Sequence, residues 1–169
     1  MTQWYPIDDG FYAMDFTFSV NGSYAYEHHN VVATIPEDAP IDEEDGSPDW
    51  SFIVNCITDE LEEWVYPKLT VHCEDTEANA SFSITNITDN NNAMKVTTDR
   101  HDEFFFDCQH CIISDESGKV NFKELGWDDV DNIYWLRFKA GNNEISVHGS
   151  PTITIDYDSP VKISGGWLV

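Results

Sequence analysis

The chain has 169 residues, of which 32 are Asp or Glu and only 8 are Lys or Arg, for a formal net charge of −24 at pH 7. That length suits about one domain rather than two full cores. So steep an acidic excess repels phosphate, which excludes nucleic acid and anionic membrane surfaces as ordinary partners.

Ile and Val together outnumber Leu by 26 to 5, and ten Phe and seven Tyr accompany them. β-branched and aromatic side chains suit a pleated surface, and β-branched ones lose χ1 freedom in a helix, so the composition predicts a mainly β protein. No apolar run approaches the ~20 residues of a membrane span. The start, Met1-Thr2-Gln3-Trp4-Tyr5-Pro6, lacks the basic and apolar regions of a signal peptide, so export by the general route is not expected. Four cysteines (Cys56, Cys73, Cys108 and Cys111) are too few to predict a disulfide scaffold at this size.

Along the chain, residues 1–11 read as an N-terminal arm and residues 12–169 as a single β-sandwich domain. Tyr12, Met14, Phe16, Phe18 and Val20 alternate with Ala13, Asp15, Thr17 and Ser19, the pattern of a half-buried strand. Asn21-Gly22-Ser23 marks a turn, and Tyr24-Ala25-Tyr26 opens an extended segment running to Pro36. Residues 37–46 contain six acidic residues, which predicts a solvated loop. Trp50-Ser51-Phe52-Ile53-Val54 starts a second block, followed by a wide acidic turn over 58–64. Tyr66-Pro67 favours an extended entry into Lys68–Cys73, where Leu69, Val71 and Cys73 share a face.

Phe82 and Ile84 lead into an Asn-rich turn at 89–92, and Phe104-Phe105-Phe106 suits a strand covered on both sides. Tyr134, Leu136 and Phe138 alternate with Trp135, Arg137 and Lys139 ahead of Gly141-Asn142-Asn143, a hairpin signal. After Ile145 and Val147 the chain turns at Gly149-Ser150-Pro151. Ile153, Ile155 and Tyr157 then alternate with Thr152, Thr154 and Asp156. Short strands at this spacing, punctuated by turns, predict an antiparallel sandwich or barrel with long acidic loops.

Four constellations bear on chemistry. Cys108-x-x-Cys111, with His110 inside it and His72-Cys73 upstream, is the metal candidate, but zinc needs two close ligand pairs and only one is present. Cys73 and Cys108 therefore read as small buried hydrophobes, and no metal or other cofactor is expected. The acidic stretches at 37–46 and 59–63 lack the twelve-residue calcium loop, and solvated loops account for them. His28-His29 lies on a strand-like segment and reads as surface. Nucleophile elbow, phosphate-binding glycine loop and His-Glu-x-x-His are all missing, and no local feature selects two of the 32 carboxylates as a catalytic pair. No catalytic residue is assigned and no enzyme is expected. Trp50, Trp64 and Trp127 lie near turn-rich acidic stretches and could stack on sugars, although core or interface positions explain them better.

Several segments together resemble the distal tail (baseplate hub) proteins of long-tailed phages. Trp135-Leu136-Arg137-Phe138-Lys139-Ala140-Gly141-Asn142-Asn143-Glu144-Ile145 is similar to that family's closing hairpin, with Ala140 where the family has proline. Thr152-Ile153-Thr154-Ile155-Asp156-Tyr157 fills its next strand, and Lys162-Ile163-Ser164-Gly165-Gly166-Trp167 resembles its terminal Lys-x-x-Gly-Gly. Upstream, Trp64-Val65-Tyr66-Pro67-Lys68-Leu69-Thr70-Val71 resembles its Tyr-Pro-Lys-Ile-x-Ile strand. Phe82–Asn86 and Glu103–Cys108 fall where its next two strands lie, and Met14–Val20 with Ser23-Tyr24-Ala25-Tyr26 resembles an earlier segment.

The resemblance spans residues 12–169 and implies the galectin-like C-terminal domain of such a protein. With it comes a structural role at the tail tip of the virion and docking of other baseplate or receptor-binding subunits in host attachment. Carbohydrate is a further candidate ligand. The family's ring-forming N-terminal domain has no counterpart in the matching segments, so a homo-oligomeric ring is a weaker implication. The residues alone also leave open an acidic inhibitor that mimics nucleic acid, and a free-standing carbohydrate-binding module.

Overall fold

The computed structural model describes residues 3–8, 11–15, 24–73, 80–98, 103–115 and 134–162. Within them the chain is built from strands and turns, in two antiparallel sheets and one separate hairpin, as the mainly β composition predicts. The chain falls into two compact units, residues 1–25 with 162–169 and residues 26–161. The smaller unit contains a hairpin of β1 (Gln3–Asp8) and β2 (Phe11–Asp15), paired antiparallel from Gln3↔Asp15 to Asp8↔Phe11. The alternating stretch predicted over 12–20 begins in β2. Its continuation at 16–20, the turn at 21–23, Trp127 and the Gly-Gly end at 163–167 lie outside the described residues.

Apart from the first two residues of β3 and the last of β11, the larger unit holds β3 (Tyr24–Ala33), β5 (Lys68–Cys73), β8 (Glu103–Asp107), β9 (Ile112–Asp115) and β11 (Pro151–Lys162), a five-stranded sheet in the order β3-β11-β5-β8-β9. The second sheet takes β4 (Asp49–Cys56), β6 (Ala80–Asn86), β7 (Asn92–Thr98) and β10 (Gly141–His148) in the order β4-β10-β6-β7. Alternation decides which side chains enter the core between them. Leu69, Val71 and Cys73 are buried on β5, and Ile153, Ile155 and Tyr157 on β11. From the other sheet come Phe82 and Ile84 of β6, Met94 and Val96 of β7, and Ile145 and Val147 of β10. These residues form one apolar cluster, in which each large side chain contributes about 1.5–3 kcal/mol on burial. Phe104 and Phe106 of β8 join it, whereas Phe105 is only half-buried on the outer face, so the Phe run is not equally covered on both sides.

Two turns follow the sequence closely. Asn90 and Asn91, both at φ +57°, carry the β6–β7 turn in the left-handed conformation that asparagine tolerates best among residues with a side chain. Gly149, at φ +101°, takes the chain from β10 in one sheet to β11 in the other. Its N–H donates to the Pro48 carbonyl (2.8 Å), and its own carbonyl accepts from Trp50 Nε1 (3.0 Å).

One expectation is corrected. Residues 134–139 do not pair with β10 as a hairpin. β10 pairs instead with β4 and β6, and the preceding segment is held by a single bridge, Val65↔Phe138. The alternation reflects burial of Leu136 and Phe138, while the backbone is held partly by main chain, Phe138 to Val65 and Tyr134 N to Ala93 O, and partly by side chains. Asn143, fully buried, accepts from Lys139 N (3.0 Å) and donates to the carbonyls of Lys139 (2.8 Å) and Gly141 (3.1 Å). Asn86 Nδ2 donates to the Arg137 carbonyl (2.7 Å).

Candidate functional site

The cysteine motif forms a turn, and its elements do not converge on a metal centre. Asp107, at the end of β8, accepts from the His110 backbone N–H (3.1 Å) and lies 3.0 Å from His110 Nδ1, closing the β8–β9 connection around Cys108–Cys111. Burial opposes ionisation of Asp107, yet its hydrogen bonds to His110 hold the carboxyl below the ordinary carboxylate range. Cys56, Cys73 and Cys108 are buried, and only Cys111, at φ +56°, is exposed. Burial pushes the Cys56 thiol up to about 11 and the Cys108 thiol to about 12, so both are neutral thiols at pH 7.

His28 and His29 lie on β3 but face opposite sides. His28 is exposed, with Nδ1 3.0 Å from Asp158. His29 stacks on Tyr157 at 4.8 Å, and its Nε2 sits 2.9 Å from Ser159 Oγ.

The acidic loop is exposed as predicted, but it is internally tied. Asp42 N donates to Ser47 O (2.7 Å), Gly46 N to Asp42 O (2.9 Å), and the side chains of Asp42 and Asp45 accept from Glu44 N and Ser47 N (2.8 Å each). The loop leans on His148 of β10, whose Nε2 lies 2.8 Å from Asp45 Oδ2 and whose Nδ1 lies 2.9 Å from Asp49 Oδ1. Hydrogen bonds donated to Asp49 above all, then to Asp45, raise the His148 pKa despite partial burial. Ligand atoms of Asp42, Asp49 and His148 lie within 4.8 Å of one another, the one such trio of His, Cys, Asp or Glu among the described residues. Both imidazole nitrogens face carboxylates, and an imidazolium donates to Asp45 and Asp49 at once.

The tryptophans do not form a shared platform. Trp50 is buried in the core beside Phe52, and Trp127 lies outside the described residues. Trp64 is partly exposed, but the Arg137 guanidinium lies 3.8 Å from its ring centroid and the Lys139 ammonium 4.5 Å. Arg137 also donates from Nε and Nη2 to the buried Asp89 carboxylate (2.8 and 3.2 Å). Burial raises the Asp89 pKa, but the bonds and charge of Arg137 outweigh it and leave the carboxyl below its ordinary value.

Two surface features remain, and neither has a local sequence signature. The first is a pocket of about 530 Å³ where β3, β5, β11, the 60–66 loop and the 109–110 turn meet. Its wall combines the aromatic rings of Tyr26, Trp64 and Tyr66 with the carboxylates of Glu60, Glu63, Asp156 and Asp158, against which stand Lys68, His28 and His110. The second is the outer face of the four-stranded sheet. Ser51, Ser146, Thr85 and Ala93 stand in register across all four strands, an uncharged row of small side chains. The row beside it runs Asp49, His148, Ser83, Lys95, and Ile53, 62% exposed, stands next to Glu144 on the other side. The sequence places each of these residues on an outward strand position, but only the register shows that the four neutral ones meet.

Compared with known proteins, residues 43–157, more than half of the chain, match the model of a family described as the phage tail C-terminal domain. No curated protein and no solved structure matches the chain.

Proposed function

The chain belongs to the phage tail C-terminal domain family, and from that membership we propose that it acts at the tip of the tail as a rigid joint on which other tail or receptor-binding subunits dock. A structural role in the virion tail, in contact with other tail proteins, follows from the family itself. The tip position, the galectin-like description of the sandwich, a part in host attachment and assembly into a ring belong to the proposal and rest on the sequence resemblance. The reading takes the domain as non-catalytic, a body whose work is done by its faces.

The observation that carries docking is the neutral row Ser51, Ser146, Thr85 and Ala93 on a chain of net charge −24. Small uncharged side chains form the centre of this face and Asp38, Asp49 and Glu144 its rim near Ser51 and Ser146, and a charge-depleted centre within a polar rim is the pattern of protein interfaces. The test replaces Ser146 at the centre of the row with Glu and, separately, with Arg, then measures incorporation of the folded variants into assembled tails. Both substitutions are expected to lower incorporation about tenfold or more with an unchanged circular dichroism spectrum. Normal incorporation of both would remove this face as the docking surface.

A further inference from the structure

We propose that the pocket between β3, β11 and the 60–66 loop is a socket for a basic segment of a neighbouring tail protein, taking an Arg or Lys side chain between its aromatic rings and its carboxylates. The proposal rests on the docking reading above and names a second contact and the chemistry of its partner.

The wall supplies the two kinds of group that recognise such a side chain. Aromatic faces attract cations, and a guanidinium pairs with carboxylates through a fixed fork of donors. The chain already uses this chemistry internally, since Arg137 and Lys139 both lie over Trp64. Tyr26 stays open at the pocket, 72% exposed, and offers its ring to an aliphatic stem as well as to a cation.

Charge balance points to an external cation. His28 approaches Asp158 at 3.0 Å and Asp156 at 3.6 Å, and Asn30 donates to Asp156 (2.7 Å). Lys68 stands in register between Asp156 and Asp107. Glu60 and Glu63 have no cationic partner among the described residues, and with 8 Lys and Arg against 32 acids the chain has few to offer. A partner is the natural source. A saccharide fits less well. Arg137 and Lys139 already occupy Trp64, which leaves the rings of Tyr26 and Tyr66 for a ligand, and a neutral sugar on them leaves the carboxylates uncompensated.

The test uses the full chain and a fluorescein-labelled peptide of alternating Arg and Gly, with fluorescence anisotropy as the readout. Because any strongly acidic protein attracts such a peptide, the comparison is between two variants of equal charge. E60Q/E63Q removes the unpaired carboxylates of the pocket, and E43Q/E44Q removes two exposed ones from the acidic loop. The proposal expects Kd to rise about tenfold in the first and less than about twofold in the second, with Tyr26→Ala also weakening binding. Equal effects of the two double variants would reduce the attraction to net charge and overturn the socket. Displacement of the peptide by a neutral oligosaccharide would overturn it in favour of sugar binding. A failed socket alongside poorly incorporated Ser146 variants leaves docking intact. Normal incorporation of those variants removes the neutral face, whatever the peptide does.

Discussion

Arg137 ties three parts of the chain together. Its own irregular segment, the β6–β7 turn through Asp89 and the 58–65 turn through Trp64 all meet on one guanidinium. The Asp89 side chain is 1% exposed, so removing Arg137 leaves a buried carboxylate with hydrogen bonds from Asn92 and Tyr134 but without this counter-charge. Arg137→Ala is expected to cost about 3 kcal/mol in urea unfolding at pH 7, and Arg137→Lys less, because a point charge replaces the fork but keeps the sign. The lowered Asp89 pKa sets the pH window. Its stabilisation is complete above the ordinary carboxylate pKa of about 3.9 and is lost as pH falls through the lowered folded value. The deficit of Arg137→Ala should therefore narrow in acid. A deficit that stays constant down to pH 3 would mean that the arginine acts through packing on Trp64 rather than through the ion pair.

At the scale of elements, the acidic loop and β10 meet at His148, whose two nitrogens face Asp45 and Asp49 with Asp42 close by. The His148 pKa is raised, so the contact is fully stabilising below the unfolded histidine value of about 6.5 and fades as pH rises through the folded one. Amide exchange at 41–48, corrected for intrinsic rate, should accelerate between pH 6 and pH 9, and His148→Asn should abolish that dependence. The loop's acidity was legible in the sequence, but its tether was not, because His148 lies about a hundred residues away. β5 and β11 were legible because Leu69, Val71, Ile153 and Ile155 alternate strictly against one core. The segment 134–139 alternates as well, yet it is no strand. Period two reports which side chains are buried and says nothing of what the backbone pairs with, a part shared here by Asn86, Asn143 and the main chain of Val65 and Ala93. The pocket and the neutral row were invisible for a related reason. Their residues are scattered from 26 to 160 and from 51 to 146, and only pairing order and register collect them.

For the whole molecule the governing quantity is the net charge of −24. Mutual repulsion of carboxylates opposes compaction, and salt screens it over a distance of about 8–10 Å at 0.1–0.15 M. Differential scanning calorimetry should show Tm rising by several degrees between about 10 and 200 mM NaCl at pH 7; a fall would mean that attractive ion pairs outweigh the repulsion. The order of the strands has a separate consequence. β10 lies between β4 and β6, β11 lies between β3 and β5, and these two neighbours in sequence are joined at Gly149. Residues 141–162 thus supply an inner member of each layer, and no earlier portion of the polypeptide can complete either one. During synthesis the strands that precede residue 141 must be kept from sticking to other chains until residues 141–162 have emerged to join them. The dense negative charge that burdens the finished fold is well suited to that wait, because it holds unfinished copies apart.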